Sequence, residues 1–399
     1  MSDEIVILAG ARTPMAEYSG TPGFGLFKDI SAIELGAIAA RAALERARVP
    51  PKWIDHVVMG NAQQTSPDAI YGARHVGLKA GVPFEAPALT VNRLCGSGIE
   101  SICQAARMIR EGEASIVLAG GMENMSQAPH VLRGARQGWR FGQKVEVEDS
   151  LWAALKDTSC GLFMAETAEN LAKKYGISRE EQDRYALRSH ELGVRATRGG
   201  IFKEEIVPVE VKKGKATTTL DFDDHIKPDT SFEALSKLRP AFGENGTVTA
   251  GNASGIVDGA AAVVVTAART ARERELPVLG RIVAWASAGV DPAVMGIGPA
   301  PAIRLALKRA GLALDRIDLF EVNEAFAAQY LAVEKELGLD REKTNVNGGA
   351  ISIGHPLGAS GTRITLHLLL ELKRRNLERG VASACIGGGQ GIAIVVERE

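Results

Sequence analysis

Two periodicities alternate along the chain. The segment AALERARVPPKWIDHVVMGNA (42–62) places apolar residues at helical spacing, breaks at a short turn and continues as an apolar run of strand length. LALKRAGLALDRIDLFEVNEA (305–325) does the same. The two align without gaps at one offset of 263 residues, matching Leu44 with Leu307, Ala47 with Ala310, Ile54 with Ile317 and Asp55 with Asp318. At the same offset Leu94-Cys95-Gly96-Ser97-Gly98 falls on Leu357-Gly358-Ala359-Ser360-Gly361, and Asn92 falls on His355. Helix-like runs follow (IESICQAARMIREGE and TRITLHLLLELKRRN), then apolar strands entering glycine, SIVLAGGM and VASACIGGG, where the comparison shifts by four residues. A gapless repeat that keeps its hydrophobic phase predicts two related halves.

Alternating helix and strand patterns predict an α/β fold with two packed sheets covered by helices and related by a pseudo-twofold axis. The halves are unequal. In the second, ACIGGGQGIAIVVE reads as strand, tight turn, strand. In the first, the strand ending near Gly121 meets its partner only at NASGIVDGAAAVVVTAA, from 252 onward. The expected organisation is therefore a first half at 1–125 completed by 250–275, an inserted segment at 126–249, and a second half at 276–399. Within the insert, Ser178-Arg179-Glu180-Glu181 reads as a capping box opening a helix to about residue 198. VPVEVKKGKATTTLDFD reads as a hairpin turning at Gly214.

A chain of 399 residues exceeds the size of one growing core, in keeping with more than one domain. Lys+Arg of 47 against Asp+Glu of 48 gives a net charge of −1, which speaks against a general nucleic-acid binder. The four cysteines contain no CxxC pair, so no structural zinc site is expected, and they read as reduced thiols in a cytoplasmic protein. The start MSDEIVILAG has neither signal nor transit character, and no apolar run has membrane-spanning length.

Chemistry concentrates in glycine-framed polar residues. Cys95 precedes a helix, whose amides and partial positive charge are expected to lower the thiol pKa. Cys385 ends an apolar strand ahead of Gly387, Gly388 and Gly389, which suggests backbone amides aimed at a bound group. His355, in Gly354-His355-Pro356, occupies the loop equivalent to that of Cys95, so a pseudo-dyad would bring the two together as base and nucleophile. Asn323 in EVNEAF can hold a water or donate to an oxyanion, with Glu324 orienting it. Cys103 and Cys160 read as packing and incidental residues, and His56, His75, His130, His190, His225 and His367 as surface or packing residues. No GxGxxG or GxxxxGK[ST] signature supports a nucleotide fold.

Together VNRLCGSG, NASGIVDGAA, DPAVMGIGP, EVNEAF, NVNGGAISIGHPLGASG and SACIGGGQG make the chain resemble the thiolases, over essentially its whole length. The resemblance implies a thiolase fold: two pseudo-symmetric α/β halves in a five-layer α-β-α-β-α core, with an inserted loop domain over the coenzyme A site. It implies a homotetramer or homodimer acting on acetyl-CoA, CoA and 3-ketoacyl-CoA, with no cofactor or metal beyond coenzyme A as substrate. Cys95 then matches the acyl-carrying nucleophile, His355 its base, and Cys385 the acid/base at the α-carbon. Asn323 matches the holder of a water in one oxyanion hole, and the amides of Cys95 and Gly387 the second hole. Ala250, Gly251 and Ser254 resemble the pantetheine segment, Met164, Met295 and Phe326 the pocket lining, and Leu155 and Phe242 apolar contacts with the coenzyme. Phe163 stands where some short-chain members have histidine. Lys227 and Ala234 stand where some have arginine and serine near the adenine end. The implied reaction is reversible transfer between acetyl-CoA plus acyl-CoA and 3-ketoacyl-CoA plus CoA, with short to medium chains. A non-catalytic acyl-CoA or lipid carrier of the same fold is the alternative, and a decarboxylating ketoacyl synthase a third, disfavoured by Cys385.

Overall fold

The computed structural model describes residues 4–213 and 216–399, so the expected turn at Gly214 lies outside the described residues. Its strands are β1 (Ile5–Arg12), β2 (His56–Gly60), β3 (Ala88–Val91), β4 (Ile116–Glu123) and β5 (Val257–Ala267) in the first half. The second half supplies β6 (Gly280–Gly289), β7 (Leu319–Val322), β8 (Arg379–Ile386) and β9 (Gln390–Arg398). In the first half β3, β2 and β4 run parallel and β5 and β1 pair antiparallel beyond them. The second half repeats this: β7 parallel to β8, then β9 and β6 antiparallel. The counterpart of β3 is a single parallel bridge between Phe320 and Thr344. β2 and β7, and likewise β4 and β8, begin 263 residues apart, so the four-residue shift expected at β4 and β8 does not occur. The glycines differ in role: Gly120 and Gly121 lie within β4, whereas Gly387, Gly388 and Gly389 follow β8 and turn into β9.

The two half-sheets are not separate. β1 and β6 share a seam of three antiparallel pairs, Ile5–Ile7 against Gly280–Ile282, so the strands follow one path folded around a central layer. That layer holds α2 (Ser97–Arg110) and α7 (Leu357–Arg375), whose apolar residues pack between the inner faces of both half-sheets. The outer face of the first half-sheet is covered by α1 (Ala32–Arg46), capped by the Ser31 hydroxyl accepting from the Glu34 amide. The outer face of the second carries α5 (Pro299–Ala310) and α6 (Ala327–Leu337). The order is thus α-β-α-β-α. No helix among the described residues is long and apolar enough to cross a membrane.

Among the described residues, every buried apolar cluster that the segment between β4 and β5 joins also contains residues of one or both halves. Its helices α3 (Met164–Tyr175) and α4 (Arg179–Arg198) share the apolar cluster of α5 and α6. The Ser178–Glu181 capping box is formed, and α4 ends at Arg198 as its pattern predicts. Buried charge ties the same segment to the core. Arg12, at the end of β1, binds Glu205 at 2.7 Å and Asp223 at 2.6 Å. Glu205 also receives Nδ1 of His367, on α7, at 2.9 Å. His367 and Arg12 hold the Glu205 carboxyl down at about 2 against the penalty of burial. Removing one partner would leave a buried charge uncompensated, so the network fixes the insert's position.

The α2–α7 crossing is tighter than side chains permit. A Cβ on Gly98 would strike the backbone of Thr362, and one on Gly361 the backbone of Ile99. Because backbone lies on the other side, neither neighbour can swing away. Gly361→Val is expected to lower unfolding free energy by roughly 3 kcal/mol or more, through overpacking. Urea unfolding checks this, and an unchanged midpoint would contradict it.

Candidate active site

The crossing sets the N-terminal ends of α2 and α7 side by side. At the first, a single helical turn (Leu94–Gly96) precedes α2, and Leu94 takes φ +47° to form it. Ser97 pins the turn: its hydroxyl donates to Leu94 O at 2.7 Å and accepts from the Arg93 amide at 2.8 Å. Cys95 is left half-buried, its sulfur facing its own amide and that of Gly387. These amides favour a thiolate, as the sequence suggests, but burial opposes it more strongly and the Glu123 carboxylate adds to that opposition. The thiol is pushed up to about 11. The expectation of a lowered pKa is therefore reversed: Cys95 rests protonated.

Cys385 lies at the end of β8, wholly buried, packed with Met295, Ala325, Met164 and Phe326. Burial, with the neighbouring Cys95 sulfur next, raises its thiol pKa strongly. Of the three glycines that follow, Gly387 turns its amide to Cys95, while Gly388 and Gly389, both at φ +80°, make the turn into β9. One of the three amides thus serves the site and two residues serve the hairpin.

Asn323 follows β7, its amide bonded to Ser383 O on the parallel neighbour β8 at 2.9 Å. Its side-chain nitrogen lies 3.3 Å from Nε2 of His355. The Asn323 carbonyl oxygen is buried without a protein partner among the described residues. His355 is anchored by its amide to Gly255 O at 2.9 Å and by Nδ1 to the Ser360 hydroxyl at 2.6 Å. Ser360 gives its only proton to Pro356 O, 3.0 Å away, so it accepts from Nδ1–H. That assignment leaves the Nε2 lone pair toward Asn323. Burial, with Arg363 adding to it, drives the imidazole pKa down to about 3, so the ring is neutral at physiological pH.

Glu123, which nothing in the sequence marked, ties the start of α7 to the loop after β2. Its carboxylate accepts from Asn61 Nδ2 (2.9 Å) and the amides of Ala62 (3.0 Å), Gln63 (2.9 Å) and Gly358 (2.8 Å). Burial nevertheless raises it to about 7. Glu324 orients a different segment from the one expected. It accepts from Tyr185, Ser189, Asn345 and the Ile351 amide, tying α4 to the stretch leading into His355 rather than holding Asn323.

A cavity of about 550 Å³ opens beside this group. Leu155, Met164, Lys227, Phe242, Ala250, Ser254 and Phe326 line it, all expected from the sequence. Gly251 lines an adjoining depression with Ala250 and Lys227, where Ala234 also lies. Met295 packs behind Cys385 instead. Missed in the sequence were Trp152, whose ring lies 4.6 Å from that of Phe163 and 6.1 Å from that of Phe242, and the pair Glu17–His225. The repeat did carry one overlooked signal: Ser360 occupies the place of Ser97, and both hydroxyls pin the turn before their helix. Among the described residues no group of three or more His, Cys, Asp or Glu is placed to hold a metal ion.

This arrangement has close relatives. Residues 5–269 match the thiolase N-terminal domain and residues 276–398 the thiolase C-terminal domain. Human mitochondrial 3-ketoacyl-CoA thiolase is 53% identical over 393 residues, 98% of each chain. An acetyl-CoA acetyltransferase of Pseudomonas aeruginosa is 47% identical over 401 residues, covering 99% of this chain and 100% of the relative. The crystal structure of the human mitochondrial enzyme in complex with CoA superposes with a TM-score of 0.96 at 52% identity, over 100% of this chain and 98% of that one. The chain belongs to the thiolase family.

The hydrogen bond from His355 to Ser360 has a direct consequence. Ser360→Ala frees Nδ1 and allows the tautomer with its proton on Nε2, so kcat/KM is expected to fall about 10- to 100-fold. Ser360→Thr, which keeps the hydroxyl, is expected to restore most of it. Equal losses in both variants, measured as initial rates, would contradict the assigned tautomer.

Proposed function

We propose that this thiolase exchanges acyl groups between coenzyme A thioesters by carbon–carbon bond cleavage and formation, acetyl-CoA plus acyl-CoA interconverting with 3-ketoacyl-CoA plus CoA. The observation that carries the reading is the setting of Cys95: a protonated thiol facing two amides, beside a second buried thiol. In cleavage the Cys95 proton passes to the neutral His355, and the sulfur attacks the 3-keto carbon. The amides of Cys95 and Gly387 then stand ready to receive a developing oxyanion. The C2–C3 bond breaks, its electrons pass into an acetyl-CoA enolate, and the Cys385 thiol returns a proton to the α-carbon. CoA next attacks the Cys95 thioester, its thiol proton passing to the Cys385 thiolate; acyl-CoA leaves, and His355 returns its proton to the Cys95 sulfur, so both thiols are restored. Condensation reverses these steps, with Cys385 as base. The unpartnered oxygen of Asn323 supports its role as the holder of a water that, with Nε2 of His355, stabilises the enolate oxygen. Each oxyanion donor of this kind contributes about 2.7–4 kcal/mol to lowering the barrier.

Residues 126–249 act as the loop domain that walls the substrate cavity, between a first half of 1–125 and 250–275 and a second of 276–399. Phe163, Trp152 and Phe242 crowd the cavity, which supports short- to medium-chain acyl groups. A homo-oligomer is supported by β3, a half-exposed edge strand flanked by exposed Ile70, Tyr71 and Phe84, which a second copy would cover.

Incubation with acetyl-CoA is expected to add one acetyl group to Cys95, seen by intact mass and absent in Cys95→Ala. Cys385→Ala is expected to keep this acetylation and lose condensation. A non-catalytic carrier of the same fold would bind acetyl-CoA without mass gain. Equal loss of both steps in Cys385→Ala would contradict the division of roles.

A further inference from the structure

The wall of the cavity carries one polar pair that this chemistry leaves unused. Glu17 follows β1, in a short strand paired with the start of β5, and His225 comes from the insert. Nδ1 of His225 lies 2.8 Å from a Glu17 carboxylate oxygen, and both side chains are nearly buried. Burial works against ionising Glu17, but hydrogen bonds from His225 and Thr21 and the charge of Lys227, 3.9 Å away, outweigh it and lower its pKa. A carboxylate only accepts, so Nδ1 of His225 carries the proton and donates. The nitrogen left for other work is Nε2, which has no hydrogen-bond partner among the described residues. The far edge of the ring covers Gly255 so closely that a Cβ there would strike it. Gly255 follows the cavity residue Ser254, and its carbonyl holds the His355 amide. Elsewhere the cavity is mostly apolar: Trp152, Leu155, Phe163, Met164, Phe242 and Phe326.

We propose that His225, oriented by Glu17, binds an amide of the thiol-bearing arm of coenzyme A. The inference rests on the coenzyme A reading above. The arm is an otherwise weakly polar chain interrupted by two amides. A largely apolar channel with an unpartnered ring nitrogen in its wall matches that chemistry better than it matches an unbroken acyl chain. An acyl chain would leave the nitrogen unpaired at a cost. Nε2 accepts from an amide N–H in the neutral ring and donates to the amide carbonyl in the imidazolium, so an amide satisfies either state. Glu17 is a positioning residue here: it fixes which ring nitrogen faces the ligand.

The test is steady-state thiolysis of a 3-ketoacyl-CoA, varying CoA, in wild type, His225→Phe and Glu17→Gln. Phe keeps a ring against Gly255 and removes the nitrogen. KM for CoA is expected to rise roughly tenfold in His225→Phe and about threefold in Glu17→Gln, with kcat within about twofold in both, the loss expected for one buried hydrogen bond. Where His225→Phe melts well below wild type, Glu17→Gln decides alone. Unchanged KM in a folded variant overturns the assignment, and so does a fall in kcat at constant KM, which would mark the pair as a support for His355. Wild-type protein without thiolysis would instead overturn the coenzyme A reading itself.

Discussion

The site depends on one close approach of backbone to backbone, the crossing of α2 and α7. Backbone meets backbone at Gly98 and Gly361. Because the two helices are the repeat of one another, the crossing sets their N-terminal turns together, and with them Cys95 and the loop of His355. Glu123 then locks the junction, accepting one amide from α7 and others from the loop after β2. The strand ends complete the arrangement: β8 delivers Cys385 and the Gly387 amide, and its parallel neighbour β7 delivers Asn323. Related backbone positions are thus filled by different chemistry in each half, with a thiol where the other half has glycine.

Burial at that junction governs the chemistry. Helix ends and amides favour charge, yet the low-dielectric surroundings push both thiols up and the imidazole down. At rest both thiols and the imidazole are uncharged. In the proposed mechanism a neutral Cys95 passes its proton to a neutral His355 as the bond to substrate forms, without a standing charge that would have to be paired in an apolar pocket. The amides facing Cys95 favour its ionisation less than burial opposes it, and in the proposed mechanism they receive the developing oxyanion instead. The proposed mechanism follows from that neutrality as much as from proximity.

Much of this was legible in the sequence, for a definite reason. Hydrophobic phase is local, so the repeat offset located β2 against β7 and the loop of Cys95 against that of His355. The capping box at Ser178 and the end of α4 at Arg198 were likewise local. What escaped depends on tertiary packing. Glu123, on β4, draws its donors from two other segments, the loop after β2 and the start of α7, and the ring of His225 is held by Glu17, more than 200 residues away. The ionisation of Cys95 was read the wrong way round because a helix N-terminus is visible in a sequence whereas desolvation is not. The shift expected between β4 and β8 pairs glycines that are not equivalent: one set lies within a central strand and the other makes a hairpin turn.

The neutrality of Cys95 is the claim most directly open to measurement, as the pH dependence of its alkylation by iodoacetamide. Only the thiolate reacts, so the rate should keep climbing through pH 9 and 10 toward the thiol pKa of about 11. A rate that levels off below about pH 8, as for a thiolate stabilised by its helix, would contradict the account.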